Sequence, residues 1–375
     1  MIRDMQALKP MQAVAALYTE DQHELAEVIV ASLSRAIFHA KDTKPADKGK
    51  LMLGFVSQRV VRWTTKTIAS KDGTAPTLYR NRLFEHSGHP YARSLLTSSQ
   101  SETVAMVEGG DSMNGPYMML SPELRKNSGL WDRIFFDSVQ SKDVQLRFLL
   151  ETQATYHAAR QLLARGEPVR IKAVAAGTGL SLILAYDKLI RDGFSPQSIT
   201  AVIADRDPAN TAKSNRLLPK LASTRNNPWS PGHAYGIMAV TEDVFDEPDP
   251  LEIAPHAPYN IVTAIGIIEY FQGIAHGSTE QRLKLHEPEE PVTAKDLVAR
   301  LAAMTAHCGC LIVNTYRDHS CIRILELFGK RFDFRNREHL RDLLAPLNFR
   351  PLHLAGSGHI YDVEVFEKSA AEELF

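Results

Sequence analysis

Charge, cysteine and long apolar stretches are what this chain has least of, and each shortage closes off a class of function. Its 43 Lys and Arg against 44 Asp and Glu leave a formal net charge of −1 over 375 residues, so the totals predict no basic face and nucleic acid is not an expected partner. No apolar run approaches the roughly 18 residues of a membrane-spanning helix, and Met1-Ile2-Arg3-Asp4 does not lead into the apolar stretch of a secretory signal, so the expectation is a cytoplasmic chain away from membranes. The three cysteines, Cys308, Cys310 and Cys321, form no disulfide framework. Even with His307 or His319 nearby, a Cys-x-Cys without a second Cys/His pair at finger spacing is a weak zinc signal, and no metal is expected. A hydrophobic fraction of 44% nevertheless suffices for a sizeable core, with room for about two domains.

The most informative stretch runs from residue 169 to 215. An apolar run, 169–176, breaks into Gly177-Thr178-Gly179; a helix-forming segment follows, and a second apolar run, 199–204, ends on Asp205. This order of strand, glycine turn, helix, strand and acid is how an open parallel sheet holds a nucleoside at the carboxyl ends of its strands. The glycines let backbone approach a ligand closely, and the acid can accept from ribose hydroxyls. The three-glycine dinucleotide fingerprint fails, because Ala175 and Ser181-Leu182 flank the two glycines. The loop is also poorly equipped to grip phosphate, since residues 180–186 contain no lysine.

These residues resemble the class I S-adenosylmethionine-dependent methyltransferases, whose first strand ends in an acid-x-Gly-x-Gly-x-Gly loop and whose second ends in an acid. Ala173 and Ala175 stand where that loop carries its acid and first glycine. The resemblance covers roughly residues 150–370. It implies an α/β fold: a Rossmann-like, mostly parallel sheet with one antiparallel strand, preceded by a mainly helical N-terminal domain. It also implies S-adenosylmethionine as cofactor, held by Ala175, Gly177, Thr178, Gly179, Asp205, Arg206, Asp243, Val244, Ala264 and Gly266. Within that set Asp205 would take the ribose, Asp243 the adenine amino group with Val244 and Phe245 beside the ring, and 264–266 the methionine half. Residues 236–245, 259–271 and 310–316 resemble the third to fifth strands with their loops, and 360–366 the closing hairpin strand.

Before residue 150 the pattern is helical. Leu25, Val28, Ile29, Leu33, Ala36 and Ile37 recur at helical spacing behind an Asp21 cap, residues 50–68 repeat the type, and 137–163 read as one long helix feeding the first strand. Residues 108–117 read as a turn-rich loop. The expected division is a helical cap or dimerisation domain, 1–150, and a cofactor domain, 151–375. Such an extension commonly closes over a substrate and leaves room for a homodimer. His86, His89, Tyr91, Asn114 and Tyr117 are its candidate ligands, and the long connections 221–235 and 273–291 are expected at the site's mouth.

The chemistry then needs a placed nucleophile, a home for its proton and exclusion of water. Glu269 and Tyr270 after the fourth strand, and Tyr316 after the fifth, are the candidate catalytic residues; Asn314 and Arg317 are candidate substrate contacts, with His319 nearby for proton transfer. A helix over 294–306 reads as core packing, and residues 337–344 as an Asn336-capped amphipathic helix with a charged outer face. The leading expectation is a methyltransferase acting on a small-molecule metabolite. One alternative is a cyclase or aminocarboxypropyl transferase of the azetidine-2-carboxylate or nicotianamine type, releasing methylthioadenosine. Another is a non-catalytic nucleoside-binding protein.

Overall fold

The computed structural model describes residue 8 and residues 10–39, 111–127, 139–223, 236–245, 258–271, 292–319 and 333–369. Within them a seven-stranded sheet forms the middle layer: β1 (Val169–Val174), β2 (Ile199–Asp205), β3 (Ile237–Thr241), β4 (Tyr259–Ala264), β5 (Thr305–Asn314), β6 (Phe349–Ser357) and β7 (Asp362–Lys368), in the order 3-2-1-4-5-7-6. All neighbours pair in parallel from β3 across to β5, and β7 runs antiparallel to both β5 and β6. The expected mostly parallel sheet with a single reversed strand is therefore present.

Helices cover both faces, so the central strands must be apolar on both sides, and β1 and β2 bury all but one residue each. One face, with Ile171, Ile203, Ile261 and Ile312, joins a core shared with α1 (Pro10–Tyr18), α2 (His23–Phe38), α5 (Val139–Ala164), α6 (Leu180–Arg191) and α7 (Pro208–Ser223). The other, with Val202, Val262 and Val313, packs on α8 (Ala294–Met304) and α9 (Arg337–Leu344). Lys172 is the exception in β1: it is buried, and Glu242 at the end of β3 receives its ammonium at 2.6 and 2.8 Å. Pairing with a carboxylate is what lets a cation stay inside a sheet.

In α2 the periodic positions Ile29, Leu33 and Ile37 are fully buried. Its N-cap is Gln22, without a side-chain bond, and Asp21 sits in the turn leading out of α1, which corrects the expected Asp cap. A second correction concerns residues 108–117. Residues Asp111–Met118 form a helix, α3, despite Gly115 and Pro116, followed by the short α4 (Pro122–Lys126). Burial of Asn114 and Met118 against α1 outweighs the local turn preference. The long helix expected over 137–163 is α5, and it packs on β1, β4, β5, β6 and β7; residue 150, the proposed domain boundary, lies inside it.

Helix α8 begins at a reciprocal cap between Thr293 and Asp296, and α9 at Asn336, whose side chain accepts from His339 N at 2.9 Å, as expected. Strand β5 starts at Thr305 rather than 310, directly after α8; its first half is partly exposed and carries Cys308 at a positive φ of 58°, an irregular opening without a strand-like apolar pattern. Cys310 is thus mid-strand and half-buried, not the strand's first residue. Among the described residues no helix is long and apolar enough to cross a membrane, and no group of three His, Cys, Asp or Glu could hold a metal ion.

Candidate active site

At the carboxyl end of β1 the chain turns through three residues in left-handed conformation, Ala175 (φ 49°), Gly177 (φ 58°) and Gly179 (φ 61°), before α6. Gly179 cannot be replaced cheaply, because a Cβ there would lie 2.5 Å from the Ile203 side chain of β2. Ala175 keeps the glycine-like turn despite its methyl, a conformation costing an L-residue roughly 1–2 kcal/mol.

Asp205, at the end of β2, is buried and holds this turn in place. One carboxylate oxygen accepts from Gly177 N at 2.7 Å; the other accepts from Asp207 N at 2.9 Å and Asn210 Nδ2 at 3.1 Å. Burial raises its pKa while these donors pull it back down. A carboxylate offers about four acceptor positions, and the protein fills three, so the expected double acceptance from a ribose would have to displace a protein donor. Thr178, at the turn's apex, is tied to the N-terminal helices: its Oγ1 accepts from Asn114 Nδ2 of α3 at 3.0 Å and from Tyr18 OH of α1 at 2.9 Å. Ser214 of α7 donates to its carbonyl at 2.8 Å. The helical cap is therefore hydrogen-bonded directly to the glycine turn.

The ends of β4 and β5 build the other side. Asn314 closes β5 with its Oδ1 accepting from Gly266 N at 2.6 Å and its Nδ2 donating to Thr315 O at 2.9 Å, so its amide holds the β4 loop. Over Gly266 lies the guanidinium of Arg147, from α5: a Cβ on Gly266 would come within 2.9 Å of Arg147 Nη1. Arg147 Nη1 also pairs with Glu269 Oε1 at 3.6 Å, and the guanidinium stacks over the Tyr361 ring at 4.5 Å. One turn along α5, Glu151 accepts from Thr263 Oγ1 at 3.4 Å, and Thr263 lies beside Ala173 in the β1–β4 register. Burial lifts the Glu151 carboxyl to about 7 and also raises Glu269, against the pull of Arg147. Tyr117 stacks on Phe148 at 3.8 Å, and its hydroxyl meets Arg147. Asp143, one turn before Arg147, accepts from the backbone of Ile360 and Tyr361 and so seats the hairpin that presents Tyr361.

The remaining expected residues divide. Asp243 caps a tight turn by accepting from Phe245 N at 3.0 Å, Val244 is nearly buried, and Phe245 packs edge-on against Phe271 at 5.4 Å. Ala264 is buried at the end of β4, Tyr270 is half-buried, and Arg206 is exposed. Tyr316 is buried, with its ring between Phe334 at 5.6 Å and Tyr361 at 5.2 Å, and Glu269 is as deeply buried, facing Arg147. Arg317, expected to meet a substrate carboxylate, is turned to the protein's own: it pairs with Asp362 Oδ1 at 3.3 Å and bonds Gly358 O. His319 lies 6.0 Å from His359, and burial lowers its pKa. His86, His89, Tyr91 and most of the two long connections lie outside the described residues.

Sequence reasoning missed Tyr18, Arg147, Glu151 and Tyr361. A legible signal existed for the middle two: Asp143, Arg147 and Glu151 recur every fourth residue along α5, and all three are buried.

No family model matches the sequence, and no curated protein does. Solved structures with a similar fold include the CurJ carbon methyltransferase (TM-score 0.43, 13% identity, 97% of this chain and 100% of that one). Another is magnesium protoporphyrin IX methyltransferase (ChlM) from Synechocystis PCC 6803 with bound SAH (0.39, 13%, 60% and 87%). N-methyltransferase NodS from Bradyrhizobium japonicum WM9, in complex with S-adenosyl-L-homocysteine, is a third (0.35, 12%, 59% and 88%). Likenesses this distant bear on neither activity nor substrate, and it is the order 3-2-1-4-5-7-6, with β7 alone reversed, that gives this chain the class I methyltransferase fold.

Proposed function

We propose that the chain is an S-adenosylmethionine-dependent transferase acting on a small-molecule metabolite, with methyl transfer as the reaction. One observation carries this reading: the turn at Gly177 and Gly179 lies at the carboxyl end of β1, where the strand order reverses between β2 and β4, the position at which open α/β sheets take their ligands. The turn offers backbone without a lysine, which suits a nucleoside better than a phosphate. Around it the proposed roles follow the cofactor's parts. Ala175, Gly177, Thr178 and Gly179 would pass beneath the nucleoside, Asp205 and Arg206 would meet the ribose, and Asp243 and Val244 the adenine. Ala264 and Gly266 would lie along the methionine half.

When bound, S-adenosylmethionine supplies an electrophilic methyl carbon; what the chain must add is orientation, proton transfer and a dry site. Glu269, whose burial moves its carboxyl towards the range of a useful base, is the proposed proton acceptor, with Tyr270 and Tyr316 orienting the acceptor molecule. Asn114, Tyr117 and Asn314 are the proposed substrate contacts, and Arg317 would join them where a substrate carboxylate takes the place of Asp362. Residues 1–150 would form that cap or a dimer surface, and 151–375 the cofactor domain.

Incubating the purified protein with S-adenosylmethionine and identifying nucleosides by mass spectrometry tests this. Retained cofactor, or S-adenosylhomocysteine once acceptors are added, is expected; methylthioadenosine above the spontaneous background would redirect the reading to aminocarboxypropyl chemistry, and no bound nucleoside would end it. Asp205→Ala should weaken calorimetric affinity about tenfold or more, the loss of one or two charge-assisted hydrogen bonds.

A further inference from the structure

Residues Asp333-Phe334-Arg335 run as a short strap between the two loops that carry Glu269, Tyr270 and Tyr316. Arg335 N donates to Tyr316 O at 2.8 Å and Tyr316 N to Arg335 O at 3.0 Å, an isolated antiparallel bridge, while the Phe334 ring stacks with Tyr316 at 5.6 Å. Towards β4, Asp333 N donates to Glu269 O at 2.9 Å. The Arg335 side chain, 1% exposed, reaches the same loop: Nη1 donates to Ile268 O at 2.7 Å and Nη2 to Phe271 O. Its guanidinium therefore bonds the carbonyls on either side of Glu269 and Tyr270, at both ends of the single helical turn Ile268–Tyr270 and its cap Phe271. Asp333 Oδ2 pairs with Arg335 Nη2 at 3.2 Å, and Asn336, the next residue, caps α9, so the strap is anchored in the core.

We propose that Arg335 is a positioning residue for the transfer reaction, holding the turn of Glu269 and Tyr270 at a fixed separation from Tyr316. This role rests on the reading above, which gives those three residues the chemistry, and adds what keeps them together. Their loops follow different strands, and Arg335 bonds one loop through its side chain and the other through its backbone. Arginine suits the task because its planar fork presents five donors and serves two carbonyls and a carboxylate at once, whereas a lysine ammonium is a single point on a flexible stem. A displacement of about 1 Å at a reacting group can cost a hundredfold in rate, so the separation that Arg335 fixes bears on rate as well as on stability. The guanidinium's charge also acts on Glu269. Facing that carboxyl are Arg147 from α5, Tyr361 from the β6–β7 hairpin, the Asn314 amide from β5, and Arg335, which also pairs with Asp333. Burial raises the carboxyl's pKa and the two arginines lower it, so moving either cation moves its titration.

The test reads Glu269 directly and needs no acceptor molecule. Infrared spectra of the full chain are recorded from about pH 4 to 9, and the Glu269 carboxyl band is identified by its absence in Glu269→Gln. Arg335→Lys keeps the cation and loses the fork. That variant is expected to melt cooperatively yet show the Glu269 band displaced, with its titration midpoint raised by roughly half a pH unit or more as the turn moves away from its cations. Its calorimetric affinity for S-adenosylhomocysteine should stay within about threefold of wild type, because the glycine turn and Asp205 are untouched. A band and midpoint identical to wild type in the folded variant overturn the proposal. Where Arg335→Lys does not fold, Asp333→Asn decides: it leaves the carbonyl bonds but frees the guanidinium from its carboxylate, so the Glu269 midpoint should fall, and an unchanged midpoint overturns the proposal. Failure of the wild type to bind S-adenosylhomocysteine overturns the transferase reading instead, and the band then still decides whether Arg335 holds Glu269.

Discussion

The two ends of the candidate site are built on different principles. Around the glycine turn, the Asp205 carboxylate finds three protein donors, Gly177 N, Asp207 N and Asn210 Nδ2, all between the end of β1 and the first turn of α7. Around Gly266 the participants come from α5, β4, the loop after β4 and the β6–β7 hairpin, and charged groups are buried with atoms unmatched. A locally closed turn is cheap to keep because its partners are already neighbours along the chain. A buried charge cluster from distant elements is costly wherever it is incomplete.

The contrast is sharpest for Arg147. Replacing it with Met leaves Glu269 buried without its ion-pair partner, and breaking a buried pair by removing one partner costs about 3–5 kcal/mol; urea unfolding should show a loss of that size. A change below 1 kcal/mol would mean the cluster is hydrated and the difference between the two ends is illusory.

The same end should govern the response to pH. Glu151 has a folded-state carboxyl near 7 against a reference of 4.5. The unfolded chain therefore releases this proton first as pH rises, and stability falls between about pH 4.5 and 7 by roughly 3 kcal/mol, then levels off. Glu151→Gln should flatten that slope and be the more stable protein at pH 8. An unchanged slope would assign the pH dependence elsewhere.

The smallest effect belongs to the glycine turn. Ala175 sits at φ 49°, so Ala175→Gly removes roughly 1–2 kcal/mol of backbone strain and adds about 0.4–1 kcal/mol of unfolded-state entropy. The expected net gain is under about 1 kcal/mol, read as a small rise in melting temperature. A clear destabilisation would show that the alanine methyl packs usefully and that the turn does not carry this strain.

What could be read from the residues alone follows the same division. β1, β2 and β4 are short apolar runs bounded by turn residues, buried on both faces, and the edge strand β3 keeps an apolar run although it is only partly buried, so all four were legible close to their true limits, as were α8, α9 and α5. The opening of β5 was not, because its exposed first half has no apolar run, and α3 was not, because Gly115 and Pro116 argue locally for a loop that only packing against α1 overrules. The glycine turn and its acid were visible because their chemistry is local. That Asp205 grips Gly177, that Arg317 turns to Asp362, and that Arg147, Glu151, Glu269 and Tyr361 share one space were decided by the tertiary structure alone. A side chain's partner is chosen by which elements the sheet order brings together, and charges more than a hundred residues apart carry no mark in sequence of the desolvation that binds them.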